Sequence, residues 1–240
     1  MDLFTGALAW IFSPDRLTGT DALPILFAQQ LYYTFLSVLI AALIAVPLGW
    51  LIGHTGRGRE VAVAVSGAAR AIPSFGLLIF LVLLLGVLHK PEAAVITFVL
   101  LGIPPLLAGA YTGFEAIDRR TIDAARAVGM TEWQILWKVE VPLGLPLLLG
   151  GLRSAVLQVV ATVTIAAYVN LGGLGLPIIT ALNLRQYDVV LGGAILVAVL
   201  ALVLDAILAL AQWASVPRGV RQHGTSRRER RAAASALAVT

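Results

Sequence analysis

From residue 31 onward the chain alternates long apolar windows with short polar segments. Windows of roughly 20 apolar residues, the length that carries a helix across about 30 Å of hydrocarbon, fall at 31–53, 67–88, 93–113, 143–169 and 190–212. The pattern predicts an all-α membrane protein with about five transmembrane helices. The fourth window is longer than a crossing needs and contains Arg153, which predicts a tilted helix or first turns that lie in the interface. Residues 4–12 are too few to cross, so a short interfacial helix is expected there, ahead of a turn over Pro14 to Gly19. Three regions follow: an extracytoplasmic or interfacial segment over 1–27, a membrane domain over 28–215 with a polar elbow at 115–142, and a basic tail over 216–240. The tail has few apolar anchors and is expected to lie disordered beside anionic lipid head groups.

Composition agrees with that pattern. Of 240 residues, 59% are hydrophobic and 12% charged, against about 25% charged in soluble domains. A soluble chain of this length would need more polar surface to cover its core, so lipid is the outer neighbour. In such a protein the placement of basic residues matters more than the net charge of +4. Arg57, Arg59, Arg119, Arg120, Arg126, Lys138 and the tail arginines all follow the first, third or fifth window, whereas Arg16, Lys90 and Arg185 lie on the opposite side. The positive-inside rule then puts the N-terminus outside and the C-terminus in the cytoplasm of a bacterial cell. Placement alone explains the basic tail, with no nucleic-acid partner. The N-terminus has an acid at position 2 and no basic stretch, which is unlike a cleaved signal peptide.

Little in the chain suggests catalysis. Cysteine is absent and His54, His89 and His223 are scattered, so neither a disulfide framework nor a metal set is expected. Gly53 and Gly58 in "GHTGRGRE" have the spacing of a phosphate-binding loop, but Arg59 and Glu60 stand where Lys and Ser/Thr are required. That match is by chance, and the chain is not expected to be an enzyme.

The polar segment from Asp123 to Pro142, "DAARAVGMTEWQILWKVEVP", carries the clearest local signals. Residues 118–128 combine good helix formers with an acid at the start, and Gly129 follows where a left-handed residue would end a helix. Thr131 with Gln134 has the form of a capping box, starting a second helix in which Trp133, Leu136 and Trp137 share a face. Pro142 then sets the helix up to leave for the membrane. A helix–Gly–helix elbow beneath the membrane is either a plain amphipathic connector or a surface built to receive a partner.

Asp123, Ala124, Ala125, Gly129, Val139 and Pro142 resemble, in spacing, the E-A-A-x₃-G-x₉-I-x-L-P loop of permease subunits in ATP-binding-cassette type I importers, with Asp123 for Glu, Val139 for Ile and Val141 for Leu. "LIAVPLGWLIG", "AIPSFGLL", "GIPPLLAGAYTGFEAID" and the closing "LGGLGLPIITAL" and "YDVVLGGAILVAVLALVLD" resemble the osmoprotectant branch, which carries glycine betaine, choline, carnitine or proline betaine. Methionine-importer permeases share the five-span plan and are the nearest alternative. The resemblance implies that Asp123, Ala124, Ala125, Gly129, Met130 and Thr131 form a coupling helix that docks on a separate ATPase subunit. It implies a second permease, identical or homologous, an extracytoplasmic substrate-binding protein, and ATP and Mg²⁺ bound by the ATPase with no cofactor in this chain. An ion-driven secondary transporter, a rival class, would show repeated halves and paired membrane charges; neither is evident.

Several polar and helix-breaking residues lie inside the windows. Pro73 and Pro104–Pro105 remove helical hydrogen bonds, which is tolerated only beside protein or a water-filled cavity; they mark hinges or cavity walls, and Pro73 with Ser74 is a candidate stretch of the translocation path. Gln158, Thr162 and Tyr168 lie near one face of the fourth window, where they either line a path for a small zwitterion or bond helix to helix. Asp205 is the carboxylate well inside a span. Pairing with Arg70 or Arg153 and attraction of a trimethylammonium group are its two readings. Gly49 and Gly53, and Gly109 and Gly113, are spaced for close helix approach, and "NLGGLGLP" at 170–177 is expected to make a tight re-entrant turn on the outer side.

Because the chain has no cysteine, single introduced cysteines report topology directly. Sites within 115–140 and the tail are expected to react with an impermeant maleimide only from the cytoplasm, and a cysteine at 173 only from outside. The reverse pattern would overturn the orientation.

Overall fold

The computed structural model describes residues 3–217, and the expectations for the tail beyond them lie outside the described residues. Among these residues the fold is entirely helical. It comprises α1 (Leu3–Ile11), α2 (Leu23–Thr55), α3 (Arg59–Ala71), α4 (Ser74–Leu85), α5 (Lys90–Glu115), α6 (Arg119–Ala127), α7 (Glu132–Ile135), α8 (Val141–Ile165), α9 (Gly175–Asn183) and α10 (Tyr187–Ser215). Four helices are long and apolar enough to cross a membrane, or five if the bent pair α3 and α4 makes one span.

That bent pair departs from the straight helix expected over 67–88. α3 and α4 meet at 84°. Pro73 lacks an amide hydrogen and pushes the residue before it out of the helical region; Ile72 accordingly sits at φ −74°, ψ 124°. Pro104 and Pro105, by contrast, leave α5 unbroken, so they act as cavity wall and not as a hinge.

α5 is the centre of the molecule. Its apolar window is 67% buried, against 28% for α2 and 6% for α10, because α2 packs on one side of it and α8 on the other. Glycine makes both contacts close. A Cβ on Gly109 would stand 2.8 Å from the Gly151 Cα and the Leu147 carbonyl oxygen of α8, and one on Gly113 would stand 2.7 Å from the Gly144 oxygen. On the opposite side, a Cβ on Gly53 would stand 2.8 Å from the Phe114 Cβ. At such distances backbones touch, and dispersion between them replaces the hydrophobic driving force that lipid does not supply.

The short N-terminal helix has a protein partner. Ala7 and Trp10 are buried, and Gly192 of α10 leaves room for the Trp10 ring, to which a Cβ would come within 2.7 Å. At the same end, Asn170, Gly172 and Gly173 take φ of 60°, 87° and 75°, and the turn they make is pinned by side chains of α2. The Gly173 amide donates to Gln29 Oε1 at 2.9 Å and the Leu174 amide to Gln30 Oε1 at 3.2 Å. Gln30, wholly buried, in turn donates to the Val160 carbonyl at 3.0 Å. These bonds satisfy backbone groups that neither helix nor lipid could.

Gly109→Ala is expected to lower the melting temperature of the purified chain, since overpacking at a backbone contact costs about 1–3 kcal/mol. Gly67→Ala, in the interior of α3 where a Cβ meets nothing within 4 Å, is expected to raise stability by roughly 0.5–1 kcal/mol through helix propensity. Thermal unfolding in one detergent would compare the two; equal shifts would contradict the close contact of α5 with α8.

Candidate functional site: an elbow joined to a cavity between helices

The elbow is assembled by local chemistry. Asp118 caps α6, its Oδ1 accepting from the Arg120 amide at 2.9 Å. At the other end the Gly129 amide donates to the Arg126 carbonyl at 2.9 Å and the Met130 amide to the Ala125 carbonyl at 3.1 Å, with Gly129 at φ +85°. A Cβ on Gly129 would meet nothing within 4 Å, so backbone conformation and not packing requires glycine here. Thr131 then opens α7 through a full capping box: its Oγ1 accepts from the Gln134 amide at 3.4 Å and its own amide donates to Gln134 Oε1 at 3.0 Å.

Across the turn Arg126 grips Glu132, with Nε and Nη2 donating to the two carboxylate oxygens at 2.8 and 3.1 Å. Those hydrogen bonds raise the pKa of the guanidinium above its ordinary value. The Asp123 carboxylate lies 3.7 Å from Arg126 Nη1. Ala125 and Ile135 are buried, while the Asp123 side chain is 73% exposed and Val128 and Trp133 are 78% and 68% exposed. The elbow therefore rests on its inner residues and presents an acid and two apolar groups outward.

The helix beyond the elbow does not stop. α7 passes through a π-helical turn, Leu136–Glu140, into α8, making one helical rod of 38 residues from Glu132 to Val169. Trp133 and Trp137 meet edge to face at 5.7 Å, Trp137 meets Trp50 of α2 at 5.7 Å, and Trp50 stacks on Phe114 of α5 at 6.1 Å. A second tie was not visible in the sequence: His54 Nδ1, at the end of α2, lies 2.6 Å from Glu140 Oε2, a pairing 86 residues apart.

The same rod walls a cavity of about 880 Å³, a volume suited to a small ligand. Arg70, Pro73 and Ser74 line it from the broken span, Pro104, Pro105 and Thr112 from α5, and Ser154 and Gln158 from α8. Of the residues expected along a path, Pro73, Ser74 and Gln158 thus converge. Thr162 and Tyr168 do not. Thr162 is buried and its hydroxyl donates to the Gln158 carbonyl at 2.8 Å, whereas Tyr168 meets the Phe75 ring at 5.2 Å. Asp205 takes both Nε and Nη2 of Arg153, the latter at 2.6 Å, so of its two expected partners it selects Arg153, and Arg70 faces the cavity instead. Among the described residues no group of three His, Cys, Asp or Glu could hold a metal ion.

A multi-span helical body with a cavity between its helices, and an exposed elbow continuous with one wall of that cavity, has the architecture of a membrane permease. Residues 45–214 match the family model described as the binding-protein-dependent transport system inner membrane component, and the chain belongs to that family. It is 36% identical over 199 residues to the osmoprotectant import permease protein OsmW of Salmonella typhimurium, covering 80% of this chain and 91% of that one. It is 30% identical over 193 residues to the glycine betaine/carnitine/choline transport system permease protein OpuCB of Bacillus subtilis, covering 80% and 88%. Among solved structures, an inward-facing MetNI methionine ABC transporter aligns with a TM-score of 0.68 at 24% identity, over 79% of this chain and 94% of that chain. That likeness shows the fold.

Proposed function

We propose that this chain is the permease subunit of an ATP-driven importer for quaternary-amine osmoprotectants, with the elbow as its coupling element. The observation that carries the reading is the unbroken rod from Glu132 to Val169, which exposes Trp133 at one end and places Ser154 and Gln158 on the cavity wall. A push on the elbow displaces that wall, because a helix transmits axial motion through its own hydrogen bonds. Asp123, Ala124, Gly129, Met130 and Thr131 form the surface met by a separate ATPase subunit, which binds ATP and Mg²⁺, while buried Ala125 seats the elbow from its inner side; this chain is the non-catalytic half of the machine. A second permease closes the open side of the cavity, and an extracytoplasmic binding protein delivers the substrate. The elbow and C-terminus face the cytoplasm and the N-terminus faces outward, a reading that the distribution of basic residues supports.

The substrate class is supported by relatives named for glycine betaine, carnitine and choline transport. Among the described residues, Arg70 is the one formally charged side chain lining the cavity, which suits the carboxylate of a zwitterion such as glycine betaine or carnitine better than the bare cation choline. A methionine or other amino-acid importer is the second reading, favoured by the likeness to the methionine transporter. An amino-acid carboxylate would suit Arg70 equally, so the named relatives decide between the two.

Gly129→Val tests the coupling role. A side chain at φ +85° adds strain of roughly 1–2 kcal/mol, more when β-branched, and the strain is confined to the turn. In proteoliposomes holding the whole assembly, uptake of labelled glycine betaine, carnitine or choline and hydrolysis stimulated by loaded binding protein are expected to fall together, with membrane abundance near wild type. The isolated chain is expected to hydrolyse no ATP. Normal uptake and stimulation in Gly129→Val would refute the elbow as coupling element.

A further inference from the structure

We propose that His54 is a positioning residue of the coupling machinery: through Glu140 it clamps the cytoplasmic end of α2 onto the root of the elbow, so that elbow displacement carries α2 as well as α8. The inference rests on the coupling role proposed above.

Three observations meet at this point. The Glu140 side chain is only 8% exposed, and among the described residues His54 is the one side chain within ion-pair distance of its carboxylate. A carboxylate removed from water needs a donor, and the 2.6 Å contact with Nδ1 supplies it. Glu140 also closes the π-helical turn Leu136–Glu140. Such a turn widens the helix by one residue and occurs often at functional sites; here it lies at the junction of elbow and membrane helix, where the carboxylate meets α2. Finally, the second ring nitrogen of His54 lies 3.8 Å from Glu132 Oε2, and Glu132 is the residue held by Arg126 at 2.8 Å. A line of polar contacts thus runs from α2 through His54 to both ends of the second elbow helix, and on through Arg126 to Asp123.

The tie depends on the imidazole in a definite way. Neutral His54 with the proton on Nδ1 donates to Glu140 alone. Protonated His54 donates from both nitrogens and attracts Glu140 and Glu132 together. Arg126 already partners Glu132, and at the neighbouring ends of α3 and α5 Arg59 and Glu115 pair with each other at 3.4 Å. The two elbow carboxylates are therefore the groups that face the ring.

Spin labels on cysteines at 51 of α2 and 128 of the elbow, both exposed positions, would measure the tie in the full-length chain in nanodiscs, independently of any ATPase. Wild type is expected to give a single narrow distance distribution. His54→Ala and the isosteric Glu140→Gln are each expected to broaden it and to lower stimulated hydrolysis in the assembled importer by about tenfold, the scale of one charge-assisted hydrogen bond. The double variant should be no worse than either single one, since both remove the same contact. His54→Gln, which keeps a side-chain donor, should restore part of the stimulation. A distance distribution as narrow in His54→Ala as in wild type would overturn the clamp. Broadened distances with unchanged stimulation would overturn its role in coupling, and normal stimulation in Gly129→Val in the same assembly would show that the fault lay in the elbow reading itself.

Discussion

The backbone contact of α5 with α8 is the constraint on which the rest of the molecule depends. Inside lipid there is no water to expel between helices, so association relies on surfaces that fit closely. Gly109 against Gly151 and Gly113 against Gly144 let the two backbones touch, and Gly49 and Gly53 do the same for α2. With α5 held between its neighbours, the broken span α3 and α4 is left to one side, and the space it does not fill is the cavity. Pro73 contributes twice, by breaking the span and by lining the space that the break opens.

In the coupling proposed here an event at the elbow becomes motion among the membrane helices, and the continuous rod from Glu132 to Val169 is the connection between them. The π-helical turn within it makes the helix locally wider but not discontinuous. Around the root of the rod, the Trp133–Trp137–Trp50–Phe114 ring series and the His54–Glu140 contact tie it to α2 and α5. The arrangement resists tilting of the elbow alone and favours movement of the helices as a body.

Much of this was legible in the sequence where the signal is local. Gly129, the Thr131–Gln134 box and the acid at 118 are each set by chemistry within four residues, and the structure contains all three. The apolar windows located the long helices because lipid demands continuous apolar length. The bend at Pro73 was readable as a break but not as an angle of 84°, since the angle is decided by what α4 packs against. Contacts between distant residues were not legible at all. His54 with Glu140, and Gln29 and Gln30 with the turn at 172–174, join positions about 86 and 144 apart, and nothing local marks either partner. Asp205 shows the boundary: an acid within an apolar span announces a need for a cation, while the choice of Arg153 over Arg70 lies in the fold.

The most direct test of the account is whether elbow and cavity wall move together. In the importer proposed above, reconstituted with two copies of this chain, spin labels at Leu147 of the cavity wall would report the distance between the two walls, and labels at Val128 the separation of the two elbows. On trapping the ATPase with nucleotide, both distances are predicted to shift in the same step and over the same nucleotide concentration. Elbows that close while the distance between the two residues 147 stays fixed would contradict the rod as the transmitter of motion.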